Sequence, residues 1–172
     1  MKRVVTVTVN NNSGVLNRIT GLFAKRQFNI ESITVGPTGK PGISKMTFIV
    51  PIDDPAKMEQ MLKQLQKQID VLKVSDITDK AIVTRELALI QVACPPQVRS
   101  EVYSIIEPFR ATVIDMGKNM VTIQITGEPS KVDAFIELLK PYGIKDISRT
   151  GVTAFVREQQ IQETPQLSIL QL

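Results

Sequence analysis

Lys2-Arg3-Val4-Val5-Thr6-Val7-Thr8-Val9, then Asn10-Asn11-Asn12-Ser13-Gly14, then Val15-Leu16-Asn17-Arg18-Ile19-Thr20-Gly21-Leu22-Phe23 is the stretch that decides the fold. In its first part Val5, Val7 and Val9 alternate with Thr6 and Thr8, the period of two that belongs to a strand over 2–9. The middle part is a polar turn built from residues that cap helices. In the last part Val15, Ile19, Leu22 and Phe23 recur at helical spacing, with Leu16 widening the apolar stripe. Strand, turn and amphipathic helix follow one another with no room for a long loop, which is the opening of a layered α+β unit.

Outward from there the periods keep switching. A second strand is predicted over 28–35, followed by the breaker run Gly36-Pro37-Thr38-Gly39-Lys40-Pro41-Gly42 and a third strand alternating Met46, Phe48 and Val50. Asp54-Pro55 supplies an N-cap and an N1 proline, and the helix behind it lines up Met58, Met61, Leu62, Leu65 and Ile69. A strand over 71–77 closes the order βαββαβ. After Thr78-Asp79-Lys80 the order begins again: a strand over 86–93, a helical stripe of Val98, Val102, Ile105, Ile106 and Phe109, and strands over 112–116 and 121–126 joined through Gly117-Lys118-Asn119. A helix opened by Glu128-Pro129 and ended by Pro141 follows, then a strand over 144–156 with a break at Gly151. The fold class read from this repeat is α+β, two ferredoxin-like βαββαβ sandwiches in tandem, at 1–78 and 79–157. Residues 158–172 are Gln-rich without a clear period and read as a loosely held tail. Each unit's uncovered sheet face must meet solvent or a partner.

The predicted second strand carries Phe28 and Ile30 at even positions and Ile33 and Val35 at odd ones, so its apolar face changes sides near Glu31-Ser32. One reading is a bulge, with an intrachain helix burying the first pair and a second chain the other; the other is a twisted strand with partly exposed ends.

Composition removes whole classes of function. Among 172 residues there is no His and one Cys, Cys94, so imidazole-activated nucleophiles, imidazole metal ligation, an internal disulfide and Cys-cluster metal sites are all absent. Cys94 follows an apolar run with no base in sight and reads as a structural thiol. Twenty-one Lys and Arg against 17 Asp and Glu give a net charge of +4, too small to argue for nucleic acid. An RNA-recognition sheet needs stacked aromatics, whereas aromatics are 5% here and the third strand carries only Phe48. Met1-Lys2-Arg3 runs directly into the first strand without a secretory or transit pattern, and no apolar run is long enough to span a membrane. The chain reads as cytoplasmic, with neither nucleic acid nor membrane as partner.

Chemistry concentrates in the turn at 10–14. A helix N-terminus exposes unpaired N–H groups and the positive end of its dipole, a ready carboxylate site, and Gly14 lets a ligand approach closely. Asn11 offers both donor and acceptor to an amino acid's ammonium and carboxylate, and Asn29 on the next strand could reach the same place. Ordinary capping explains the same residues. Gly36-Pro37-Thr38-Gly39-Lys40 lacks the order of a phosphate loop. Met58 and Met61 read as core, the lysines Lys57, Lys63, Lys67 and Lys73 as a solvated face, and Asp53-Asp54 as a helix start.

Asn11-x-x-Gly14-x-Leu16 after a strand resembles the signature of ACT domains, which bind amino acids. The longer stretches from Gly14 to Phe23 and Asn29-Ile30-Glu31-Ser32-Ile33-Thr34-Val35-Gly36, with Ser44-Lys45-Met46-Thr47, are similar to the small regulatory subunits of acetolactate (acetohydroxyacid) synthase. The resemblance implies a non-catalytic regulatory chain in branched-chain amino-acid biosynthesis that forms a homodimer through its ACT domains. It implies a feedback effector, valine or another branched-chain amino acid, held near Asn11, Gly14, Val15, Leu16, Asn29 and Ile30. It also implies a catalytic large subunit that is activated by this chain and carries thiamine diphosphate, FAD and Mg, with no cofactor, catalytic residue or metal site on this chain. A stand-alone ACT-type amino-acid sensor would use the same site without the synthase. The family commonly has Gly where this sequence has Gln27, so Gln27 must either sit at positive φ or end its helix differently.

Overall fold

The computed structural model describes residues 1–157; the tail expected at 158–172 lies outside the described residues. The first unit runs β1 (Lys2–Asn10), α1 (Val15–Lys25), β2 (Ser32–Pro37), β3 (Ile43–Pro51), α2 (Pro55–Gln66) and β4 (Val71–Asp76). Its antiparallel sheet has the order β2-β3-β1-β4. The second unit runs β5 (Ile82–Ala93), α3 (Arg99–Ile106), β6 (Thr112–Met116), β7 (Met120–Gly127), α4 (Pro129–Leu139), a short 3-10 turn (Lys140–Tyr142), β8 (Ile144–Arg149) and β9 (Thr153–Val156). Its sheet repeats the order as β6-β7-β5-β8, with β9 paired to the early part of β5. Two ferredoxin-like sandwiches in tandem are therefore present.

Each core forms where the period-two face of a sheet meets the helical stripes. In the first unit Val5, Val7, Val9, Met46, Phe48 and Val50 pack under Val15, Ile19, Phe23, Met58, Met61 and Leu65, and Phe23 stacks on Phe48 with ring centroids 5.0 Å apart. In the second, Ala88, Ile90, Val92, Val121, Ile123 and Ile125 pack under Val102, Ile106, Val132, Phe135, Ile136 and Leu139. Cys94 is a buried member of that second core. Asp54 caps α2 through its carboxylate, which accepts from the N–H groups of Ala56 and Lys57.

Several expectations are corrected. The second strand begins at Ser32, not at 28, and carries no bulge or change of face. Gln27 takes φ +58, Phe28 N–H donates to the Phe23 carbonyl at 2.9 Å and Gln27 N–H to the Ala24 carbonyl at 3.0 Å. That pair of bonds is a left-handed C-cap, and it turns Phe28 and Ile30 onto the first core before the strand starts. Leu16 does not widen the buried stripe; it is 43% exposed. Ile69 lies beyond the end of α2 and is 89% exposed. The fifth strand reaches back to Ile82 because β9 pairs with Ile82–Arg85. The final strand breaks at Gly151 as expected; its second half leaves the β8 register to pair with the early part of β5 and also lies against the first sheet. The open face of the first sheet is thereby met within the chain, and Thr47 and Ile49 on that face are buried.

Candidate functional site

At the end of β1 the turn is fixed from both sides. Asn10 N–H donates to the Asp70 carbonyl and Asn11 N–H to the Gly42 carbonyl, each at 2.8 Å. Gly14 occupies the N-cap of α1 at φ +80, and no side chain caps the helix. A Cβ there would meet Arg18 Nη1 at 3.2 Å in a backbone conformation that L side chains rarely adopt. Val15 N–H donates to the Asn12 carbonyl at 3.2 Å, while the next N–H groups of the first turn, at Leu16 and Asn17, have no side-chain cap and stand beside the positive end of the helix dipole.

The charge below the turn is Asp70. Its carboxylate accepts from Asn12 Nδ2 at 2.7 Å and pairs with the Arg18 guanidinium. The Asn12 bond first, and then the Arg18 bond, hold its pKa below the ordinary carboxylate value. Asp70 is buried at the junction before β4, so it ties the turn, the first turns of α1 and the second half of the unit into one polar cluster. Arg18 Nη1 lies 3.5 Å from the Ser13 carbonyl, across the mouth of the turn. Neither Asp70 nor Arg18 was legible as a site residue. They come from opposite ends of the unit, and their only local signal is Arg18 four places after Gly14.

Asn11, Gly14, Val15 and Leu16 lie together at this turn. Asn11 and Leu16 are exposed, while Val15 is buried in the core with its N–H bonded to the Asn12 carbonyl. Asn29 and Ile30 are elsewhere. They follow the C-cap of α1 at the other end of β1, where Asn29 lines a hollow with Pro51, Asp53 and Lys57 and Ile30 packs half-buried on the core. The length of β1 separates the two groups by roughly 25 Å, at 3.3 Å per strand residue. Within one chain Asn29 does not reach the place that Asn11 occupies.

Along the outer edge between these two ends runs β2, the terminal strand of the first sheet. Its helix-side residue Val35 is 48% exposed. Leu16, on the first turn of α1, is a second exposed apolar side chain of this unit. Among the described residues no cluster of three or more His, Cys, Asp or Glu side chains is placed to hold a metal ion, and no helix is long and apolar enough to cross a membrane.

Comparison with known proteins bears on this geometry. A family model for the small subunit of acetolactate synthase matches residues 85–158, and a model for the AHAS small subunit-like ACT domain matches residues 5–73. The chain is 60% identical over 160 residues to the acetolactate synthase small subunit of Bacillus subtilis, covering 93% of each. It is 40% identical over 162 residues to the acetolactate synthase isozyme 3 small subunit of Salmonella typhimurium, covering 94% of this chain and 99% of that one. The crystal structure of the acetolactate synthase small subunit from Thermotoga maritima superposes with a TM-score of 0.85 at 38% identity, covering 92% of this chain and 99% of that one.

Proposed function

The chain belongs to the acetolactate synthase small-subunit family, and from that premise we propose that it is a regulatory subunit whose first unit senses a branched-chain amino acid, with valine the first to test. It activates a separate catalytic subunit in the cytoplasm and confers feedback inhibition on it. Thiamine diphosphate, FAD and Mg belong to that partner, where the carbon–carbon bond is made. The residues of this chain bind and transmit rather than react.

The observation that carries this reading is the uncapped N-terminus of α1 at Gly14, framed by Asn11, beside an unpaired sheet edge. The effector's carboxylate accepts from the N–H groups of Leu16 and Asn17 in the first turn, and its ammonium meets the Asn11 side-chain oxygen. Asn29 and Ile30 join the site through a second copy. When two β2 edges pair antiparallel about a two-fold axis, the two α1 helices lie side by side in opposite directions. The Asn11–Leu16 end of one chain then meets the Asn29–Ile30 end of its partner, and the roughly 25 Å gap within one chain closes between two. The aliphatic side chain of the effector sits between the exposed Leu16 of one chain and Ile30 of the other. One methylene in such a pocket changes affinity by about 1–3 kcal/mol, so valine, leucine and isoleucine are distinguished only modestly.

Calorimetric titration of valine into the dimer and into an Asn11→Ala variant tests the site. Saturable binding that the variant loses supports it, and no binding by the wild type overturns sensing by the isolated chain. Co-purification with a catalytic subunit separates a synthase subunit from a stand-alone sensor.

A further inference from the structure

Strand β2 faces two ways. Ile33 and Val35 stand opposite Phe48 and Met46 on the helix side, while Ser32 and Thr34 stand opposite Ile49 and Thr47 on the other. Against that other side runs segment 150–156, the end of the second unit. Val152 N–H donates to Ser32 Oγ at 3.1 Å, and Thr34 Oγ1 donates to the Val152 carbonyl at 2.9 Å. Lys45 Nζ donates to the Ala154 carbonyl at 3.2 Å and lies 4.2 Å from the centroid of the Phe155 ring. Gly151, at φ +84, approaches so closely that a Cβ would fall 2.5 Å from Ser32 Oγ and 3.3 Å from the Ile33 carbonyl. Val152 and Ala154 are buried yet belong to neither core.

The junction is narrow. Clefts of about 750 Å³ and 670 Å³ open on the two sides of the Thr150-Gly151 turn. Among the described residues, none of the broad packings of one element on another crosses from the first unit to the second. What does cross is backbone held by hydrogen bonds. Beyond Val152 the segment continues as β9, paired with Ile82–Arg85, and before it Thr150 N–H donates to the Leu87 carbonyl at 3.0 Å. Both partners lie on β5, an inner strand of the second sheet.

We infer that segment 150–156 is the strap through which occupancy of the effector site is communicated to the second unit, with Ser32 and Thr34 as its positioning contacts. The inference rests on the effector reading above and adds the route of regulation. The helix side and outer edge of β2 face the effector and the second copy, and in a pleated strand a residue moved on one face carries its neighbour on the other. Those neighbours are Ser32 and Thr34, and each is tied to the backbone of Val152 rather than to a mobile side chain. The route is strand, strap and strand, elements that shift as bodies instead of absorbing the displacement. A ligand that prefers one arrangement of β2 thereby biases the arrangement of β5, and the linkage is reciprocal.

The test uses the full small subunit assembled with its catalytic subunit. Ser32→Ala with Thr34→Val removes both hydroxyls while keeping side-chain shape at Thr34, and Gly151→Ala displaces the strap by a Cβ. Valine binding, activation of the catalytic subunit and inhibition at saturating valine are measured for each. The expected result is binding within about threefold of wild type, activation retained, and inhibition weakened about fivefold or more. Retained activation also shows that the variants fold. Full inhibition in both variants overturns the strap. Loss of valine binding by the double variant overturns it too, since Ser32 and Thr34 would then belong to the site itself. A wild type that binds valine neither alone nor in the holoenzyme overturns the effector reading first, and no variant is needed to see that.

Discussion

In the first unit the chain leaves β1 at Asn10, whose N–H bonds the carbonyl of Asp70; in the second it leaves β5 at Ala93, whose N–H bonds the carbonyl of Gly143. The next residues, Asn11 and Cys94, bond Gly42 and Asn119 at the same distance, 2.8 Å. Each helix then begins with one matching bond, Arg18 to Gly14 at 3.0 Å and Val102 to Val98 at 3.1 Å. The frames are alike and the side chains are not. Where the first unit has Gly14 at φ +80, the second has Val98 at φ −106. Where the first has the Arg18–Asp70 pair, the second has Val102 in its core and no side chain at Gly143. Neither helix has a side-chain cap, but one repeat sets a glycine and an ion pair at its first turn where the other has a half-buried valine and a fully buried one. The difference lies in a few side chains on a shared scaffold.

The sharpest way to break that contrast is to copy the second turn into the first. Gly14→Val puts a β-branched residue where φ is +80 and its Cβ 3.2 Å from Arg18 Nη1. Backbone strain alone costs about 1–2 kcal/mol, and the first turn closes to a ligand. Thermal unfolding should show the loss, and calorimetry should show no valine binding. The reverse change, Val98→Gly, meets no positive φ; it removes a half-buried side chain packed on the second core and should cost about 1–3 kcal/mol, while creating no amino-acid site. Undiminished valine affinity in Gly14→Val would mean that this turn is not where the repeats diverge in function.

A smaller effect is expected at Asp70, which has no counterpart side chain. Asp70→Asn keeps the shape but weakens the hold on Asn12 and Arg18, and valine affinity should fall about tenfold with the fold retained. The pH dependence follows from the lowered pKa. The native state favours the ionised carboxylate, so the stabilisation is fully present above the ordinary carboxylate value near 4 and is lost as pH falls from there through the lower native value. The Asn12 side-chain amide, followed by NMR, should shift with a midpoint below about 4 in the wild type and show no such step in Asp70→Asn. A wild-type midpoint at or above that value would show that Asn12 and Arg18 do not hold the charge.

Element order and both cores were legible because period-two and period-3.6 patterns report which face is buried. Every core valine of β1 could be read that way. The failures share a cause: periodicity cannot see what the chain meets at long range. Phe28 and Ile30 alternate like a strand, yet a helix cap places them. Leu16 and Ile69 match a helical stripe, yet one is exposed on the first turn of its helix and the other lies past the helix end. Asp70 is one acid among 17 Asp and Glu until the fold sets it under Asn12 and Arg18. The strap at 150–156 rests on Gly151, whose sequence signal is only a break in a strand.

The units agree at the far ends of their first helices, and there the smallest effect separates two explanations. Gln27 and Arg110 both sit at positive φ, +58 and +52, and are the non-glycine residues that do so among those described. Each follows a helix with the same pair of bonds: Phe28 to Phe23 and Gln27 to Ala24 in the first unit, Ala111 to Ile106 and Arg110 to Glu107 in the second. Both helices thus end in the left-handed cap that glycine fits best. If backbone strain is all that is at stake, Gln27→Gly and Arg110→Gly should each stabilise by about 0.5–1 kcal/mol, read as a higher denaturant midpoint at unchanged slope. Valine affinity should not move in Arg110→Gly. Gln27, however, lines the same hollow as Asn29. A Gln27→Gly variant that gains stability but binds valine differently would show that the first unit tolerates the strain for the sake of the site. Equal behaviour of the two variants would show that the strain at Gln27 is only the cost of a missing glycine.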